Sequence, residues 1–300
     1  MTFRDLTRLA EFAQVVELER EIWGPNYDDV VPVPILAVTV LRGGVLIGAF
    51  DDRDRSLPDS RDPSRPRDGS GPHERHRPHD QSERLVGFVY SLPGIKHGKP
   101  TQWSHMLGVV DEFRNSGIGY RLKLLQRDRA REMGLDLIEW TFDPMQALNA
   151  HLNFTKLGVI VSDYEVNVYG ESRSPLHAGN PTDRFVAEWW IQREAIGAGR
   201  GVKSAPGANA EAVAVNRIDR SHRWPACVEV VLDADVGALR VDIPMNFGEM
   251  LTNAPDVALD WRLKTRQIFT TYFGRGFKAV DFELDRASAS GAYLLTQVAT

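Results

Sequence analysis

The feature that most constrains this chain is a short apolar run, Leu107-Gly108-Val109-Val110, leading through Asp111-Glu112-Phe113 into Arg114-Asn115-Ser116-Gly117-Ile118-Gly119-Tyr120. Beyond it Leu122, Leu125, Arg129 and Met133 keep one helical face while Arg121, Arg127 and Arg131 decorate the other, and Gly134 fits the stop. A strand that turns through two closely spaced glycines directly into a helix belongs to a layered α/β fold. Gly117 and Gly119 also let the main chain approach a ligand without a Cβ in the way, at the positive end of the helix. This reads as a pyrophosphate site. Arg114 adds charge at its rim or pins the loop.

The rest of the chain supplies the layers. Residues 6–22 carry Leu6, Leu9, Ala10, Ala13, Val16 and Leu18 near helical spacing. Pro32 and Pro34 stop a helix there, and the apolar runs 35–40 and 45–50, joined by Arg42-Gly43-Gly44, predict a hairpin. Residues 51–83 change to Asp, Arg, Pro, Ser, His and Gly, the composition of a disordered insertion. Its His73, His76 and His79 read as solvated rather than metal-binding, because nothing around them would orient the rings. Strands are expected at 85–92, 103–110, 135–141, 159–161 with 164–169, and 184–191, with a second helix at 144–157 closed by Gly158. After a Gly/Ala/Ser-rich linker at 193–212, residues 213–300 predict an accessory C-terminal α/β unit: strands 228–232, 239–243, 277–284 and 292–298 and a helix at 256–273.

Composition narrows the function. The 300 residues are 42% hydrophobic and 26% charged, with a net charge of −5 that offers no global attraction to nucleic acid. There is no apolar run of the ~18 residues that a membrane span requires, nor a signal-peptide core near Met1, so no membrane partner and a cytoplasmic location are expected. The single cysteine, Cys227, excludes a thiolate metal cluster and reads as a small buried hydrophobe. No metal is called for, and the better prior is small-molecule chemistry.

Two motifs then point further. Arg114-x-x-Gly117-x-Gly119, after an apolar strand with Val109 two residues before Asp111, resembles the coenzyme A motif of the GNAT superfamily of acyltransferases. Ala150-His151-Leu152-Asn153-Phe154-Thr155-Lys156-Leu157-Gly158 is similar to that superfamily's later helix, with its aromatic followed by x-Lys-Leu-Gly. The resemblance covers residues 1 to about 192. It implies a GNAT-like mixed, mostly antiparallel sheet flanked by helices, with acetyl-CoA or succinyl-CoA as co-substrate. It further implies that residues 114–120 hold the pyrophosphate, and that Val109 and Val110 meet the pantetheine arm through their backbone near Trp140-Thr141. Asn149 and Asn153, one helical turn apart, either bond the pantetheine amides or face solvent.

Acyl transfer to an amine needs a base, because only the neutral amine attacks. His105 shares a strand face with Leu107 and Val109 and is the candidate, against a reading in which it packs beside Trp103. His151 is its nearest competitor. The superfamily's usual acid is a tyrosine where this chain has Phe154, so the proton comes from Tyr164 or Tyr169, or the thiolate leaves unaided. Asp143 either holds the acceptor ammonium or caps the next helix ahead of Pro144. Arg184 or Arg173 would meet the carboxylate of an amino-acid acceptor. The expected activity is transfer of an acetyl or succinyl group to the amine of a small metabolite. A CoA-binding regulatory or scaffold module and a protein N-acyltransferase are the alternatives, and a homodimer is compatible with each.

Overall fold

The computed structural model describes residues 1–25, 27, 29–52, 83–170, 179–192 and 212–297, arranged as two compact units. The insertion at 53–82 with His73, His76 and His79, most of the linker, and Arg173 lie outside the described residues. Among the described residues no helix is long and apolar enough to cross a membrane.

The first unit comprises Met1–Leu92 and Met106–Gln126. Strand β1 (Thr2–Asp5) pairs antiparallel with β2 (Val45–Asp51), from Thr2↔Phe50 to Asp5↔Ile47. β2 in turn pairs antiparallel with β3 (Arg84–Lys96), from Val45↔Ser91 to Asp51↔Arg84. β1 is four residues long and only partly buried, too short to show the alternation that marks a strand in sequence. Helix α1 (Leu9–Trp23) buries Phe12, Val15 and Leu18, and Glu11 holds its start by accepting the backbone N–H groups of Thr7 and Arg8, each at 2.9 Å. Burial acts to raise the Glu11 carboxyl, but those bonds and the guanidiniums of Arg8 and Arg4 outweigh it and hold the pKa down at about 2.

The expected strand at 35–40 is instead helix α2 (Val33–Leu41). Pro32 stands at its N-cap and Pro34 in its first turn, where the fixed proline φ suits a helix and the missing N–H has no helical role. The prolines therefore open a helix rather than block one. The run Ile35-Leu36-Ala37-Val38-Thr39-Val40 has no period that separates a strand from a helix.

Glu19 is the anomaly of α1. It is fully buried, accepts the Val31 N–H at 2.9 Å through Oε2, and has no hydrogen-bond partner at Oε1. Burial pushes its pKa from 4.5 up to about 7. The sign follows from proton linkage: the folded protein holds this proton more tightly than the unfolded chain. Its contribution is therefore complete below pH 4.5 and is lost as pH rises through about 7. The loss is worth about 3 kcal/mol at ~1.4 kcal/mol per pH unit. Glu19→Gln should flatten that slope and raise Tm at pH 8. Urea unfolding of both proteins at pH 5 and pH 8 checks it, and an unchanged slope would dismiss Glu19 as its source.

The second unit comprises Pro93–His105 and the chain from Arg127 onward. β3 and β4 (Lys99–Val109) form a hairpin whose turn residues His97 and Gly98 both have positive φ, 49° and 76°, the geometry of a two-residue turn. β4 then pairs parallel with β5 (Leu137–Phe142) at Gln102↔Ile138 and Trp103↔Glu139. From β5 the order runs through β7 (Arg184–Trp190), β6 (Ile160–Glu165), β12 (Phe277–Asp285), β13 (Ser290–Gln297) and β11 (Ala238–Pro244) to β8 (Val213–Ala214). Apart from the parallel β8–β11 contact, the registers from β5 onward are antiparallel. β9 (Asn216–Asp219) and β10 (Ala226–Val230) make a separate ribbon.

This arrangement corrects two readings. Residues 164–169 are not a strand to their end, since β6 stops at Glu165. The compact units also divide the chain elsewhere than at 193–212, because β12 pairs with β6 at Ala279↔Val161 and the C-terminal strands extend the sheet of β5–β7. One aromatic cluster serves both segments. Phe185 lies 4.6 Å from Phe269, 5.4 Å from Tyr293, 5.6 Å from Phe142 and 5.7 Å from Tyr164, ring centre to ring centre. Phe269 comes from α6 (Pro255–Gly274), which follows α5 (Phe247–Asn253) and buries Trp261, Arg262, Thr265, Ile268, Phe269 and Tyr272 along one face.

Candidate functional site

The glycine turn belongs to the first unit. β4 ends at Val109, Val110 donates its N–H to Val86 O at 3.0 Å, and a single 3-10 turn, Asp111–Phe113, leads to the loop. Arg114 pins that loop, its guanidinium lying 2.8 Å from Asp111 and 3.4 Å from Val109 O, while its side chain stays half exposed. Ser116 Oγ donates to Phe113 O at 2.5 Å. Asn115 and Gly117 take positive φ, 61° and 87°, so the loop reverses through two left-handed residues before α3 (Ile118–Glu132) begins.

The first helical bond of α3 runs from Arg121 N–H to Gly117 O at 3.0 Å. The N–H groups of Ile118, Gly119 and Tyr120 consequently have no acceptor within the helix. A Cβ placed on Gly119 would meet Leu107 Cδ2 at 3.7 Å, an ordinary van der Waals contact, so nothing crowds that position. Donors without a helical acceptor, the helix dipole and a glycine that adds no side chain are together what an anionic oxygen requires. Val110 departs from expectation, because its N–H is committed to Val86, its carbonyl accepts the Phe113 N–H at 3.0 Å and its side chain is buried; only the second lone pair of that carbonyl is left for a coenzyme contact.

Along β4 the burial alternates, with Ser104, Met106 and Gly108 buried and Trp103, His105, Leu107 and Val109 on the more open face. His105 is the most exposed of that face, yet the chain around it removes enough water that burial draws its imidazole below the ordinary range. The face predicted for His105 is the face it takes.

The second unit holds a buried polar network at the ends of β5, β6 and β7. Asp143 forms a two-pronged ion pair with Arg262 at 2.6 and 2.8 Å, and its Oδ1 accepts the Met145 N–H at 2.8 Å. Burial acts to raise the Asp143 carboxyl, but the Arg262 charge and hydrogen bonds overcome it and hold the pKa below the usual value. Asp143 is therefore neither an open ammonium site nor the cap of α4 (Ala147–His151), whose N-cap is Gln146; it braces the turn before that helix. The helix expected at 144–157 starts three residues later and finishes as a π-helical turn, Leu152–Leu157, closed by Gly158 at φ 72°.

Tyr164 also takes a different part. Its hydroxyl donates to Asp183 at 2.7 Å, and burial together with the Asp183 charge pushes its pKa far up, which unfits it as an acid. Asp183 accepts Arg266 as well, at 2.8 and 2.9 Å. Arg184 donates to Asp183 O at 2.9 Å and lies over the Tyr169 ring at 5.3 Å, and Tyr169 OH bonds Thr141 Oγ1 at 2.6 Å. Asn149 is exposed, whereas Asn153 is buried and its Nδ2 lies 3.4 Å from Asn149 Oδ1. Phe154 packs against Phe142 and Tyr293 with ring centres 6.2 and 5.6 Å apart, a core position. Buried Cys227 bonds Asn216 and the Glu229 carbonyl weakly, and burial raises its thiol pKa.

Sequence reasoning missed Arg262, Arg266 and Asp183. The signal was present: Arg262 and Arg266 stand one turn apart on the same face as Trp261, Thr265 and Phe269, and a guanidinium at such a position calls for a buried carboxylate. Among the described residues no group of three or more His, Cys, Asp or Glu side chains is placed to hold a metal.

Fold and loop define a mixed α/β protein, its mostly antiparallel sheet flanked by helices, with a glycine turn opening into α3. No family model and no curated protein matches the sequence. Similar solved structures include the NatC complex bound to Gag peptide and CoA, at 12% identity over 64% of this chain and 98% of that one, TM-score 0.44. Arabidopsis thaliana NAA60 in complex with acetyl-CoA is 16% identical over 64% and 99%, and aminoglycoside 6'-acetyltransferase type Ii is 16% identical over 65% and 99%, both at TM-score 0.44. At these values the chemistry of the site rests on the chain's own loop and strands.

Proposed function

We propose that this chain is an acyl-CoA-dependent N-acyltransferase that transfers an acetyl or succinyl group to the amine of a small metabolite, an amino acid among the acceptors. The observation that carries the reading is the first turn of α3, where three N–H groups lack a helical acceptor and Gly119 adds no side chain beside them. The CoA pyrophosphate is assigned to residues 114–120. The pantetheine arm is assigned to the open face of β4, with backbone contacts at Val109 and, through the lone pair that Phe113 leaves unused, at the Val110 carbonyl. Asn149 is the remaining candidate for a pantetheine amide, and Arg184 for an acceptor carboxylate.

In the reaction the amine nitrogen bonds to the thioester carbonyl carbon, the C–S bond breaks, and its electron pair leaves with sulfur. His105 takes the proton that the ammonium loses before attack, and the second proton, shed by the nitrogen as the amide forms, passes to solvent. With Phe154 in the core and the Tyr164 proton held by Asp183, the thiolate leaves without a tyrosine acid and is protonated from the imidazolium or solvent.

His105→Ala should lower turnover by about 10²- to 10⁴-fold with little change in CoA affinity. Because burial lowers the imidazole pKa, the neutral base persists to lower pH, and the acidic limb of kcat/KM should inflect below the ordinary 6.5 and vanish in the variant. Release of free thiol across a panel of amines measures both. Wild-type turnover and an unaltered pH profile in His105→Ala would discard the histidine base.

A further inference from the structure

The second unit contains a cleft far from the chemistry assigned above in sequence and in character. It encloses about 460 Å³, with Arg217, Arg220, Arg240, Asp242, Ser288 and Ser290 in its walls. It is lined from β8, β9, β10 and β11, from the segment after β9 that carries Arg220, and from the turn into β13.

The floor is fixed. Asn216 is buried and clamps the Asp242 backbone from both sides, Nδ2 donating to Asp242 O and Oδ1 accepting the Asp242 N–H, each at 2.8 Å. The walls are rich in donors. Arg240 reaches Asp242 through one carboxylate oxygen at 2.9 Å, and Arg217 reaches Glu229 through Nε at 3.0 Å. Glu229 and Asp242 line the cleft and Asp285 stands beside it within reach of the Arg220 charge; with five N–H donors on each guanidinium and about four acceptor sites on each carboxylate, the three arginines still exceed what the three acids accept. The Ser288 and Ser290 hydroxyls lie 2.6 Å apart at the edge, and Ser288 also donates to Asp285 at 2.6 Å.

We propose that this cleft binds a small, multiply charged oxyanion, a polycarboxylate or a phosphate-bearing metabolite, with Arg220 and Arg240 as its principal ligands. A rigid, donor-rich cleft suits acceptor-rich oxygens, and charge-assisted bonds from arginine are strong enough to hold them.

Calorimetry of the full chain at low ionic strength, with inorganic pyrophosphate and with citrate as separate probes, tests this. Saturable single-site binding is expected, weakened about tenfold or more by Arg240→Gln and by Arg220→Gln. It should survive Arg223→Gln, which removes the same charge outside the cleft beside Trp224. It should also survive Gly119→Asp, which separates this cleft from the α3 cradle. Binding of citrate alone assigns a carboxylate ligand, and binding of pyrophosphate alone assigns a phosphate. Absence of saturable binding by either probe would overturn the proposal. So would loss of binding in Gly119→Asp, which places the anion at α3, or an equal loss in Arg223→Gln, which reduces the effect to diffuse charge.

Discussion

Gly119→Asp should reduce CoA affinity by on the order of 100-fold while leaving Tm unchanged or slightly raised. The two halves of this expectation have opposite electrostatic signs. An aspartate in the first turn favours the helix dipole and its Cβ meets only Leu107 at 3.7 Å, so the fold accepts it. The same carboxylate stands where the pyrophosphate would sit. It repels that charge and removes hydrogen bonds worth about 1.5–3 kcal/mol each. Gly117→Val is the less clean companion, because φ 87° strains any β-branched residue and destabilisation would accompany lost binding. Calorimetry with acetyl-CoA and succinyl-CoA, alongside a thermal melt, separates the outcomes. Undiminished affinity in a folded Gly119→Asp protein would remove CoA from the α3 cradle and with it the acyltransferase reading.

Arg262→Leu should destabilise the protein by about 3–5 kcal/mol, the cost of stripping one partner from a buried ion pair. The side chains of Arg262 and Asp143 are only 2% and 10% exposed, so water cannot replace the lost guanidinium. The double variant Asp143→Asn with Arg262→Met should recover a substantial part of the loss, since it leaves no buried charge behind. The pH dependence follows from the depressed Asp143 pKa. The folded carboxyl binds its proton less readily than the unfolded one, so this stability is present above the unfolded value and is lost as pH falls through the folded one. Urea unfolding of wild type, single and double variants between pH 3 and 7 tests all three statements. A single variant as stable as wild type would show that the pair contributes nothing to the fold.

Much of the scaffold was legible because its signals are local. The turn at Gly117, the stop at Gly158 and the apolar face of 256–273 each declare themselves within a few residues, and each stands where expected. The open face of β4 that carries His105 followed from strand alternation alone. The failures concern partners brought from afar. Whether residues 35–40 become strand or helix is decided by which surface receives Leu36, not by their own apolar run. Tyr164 and Asp143 looked like reactive groups because nothing near them in sequence showed that Arg266, Asp183 and Arg262 would claim them.

The aromatic cluster around Phe185 bears on how the protein is made. Tyr293 donates to Pro144 O at 2.6 Å across 149 residues, and its ring completes the packing of Phe154 and Phe185. A ribosome delivers the N-terminal side of that contact first. Until α6 emerges, the nascent chain therefore carries carboxylates Asp143 and Asp183 without their arginines, and until β13 follows, Phe154 and Phe185 lack the cover of Tyr293. Such a chain closes its core late, through contacts of long sequence separation. Its greatest exposure to chaperones and to aggregation lasts until β13 has been synthesised.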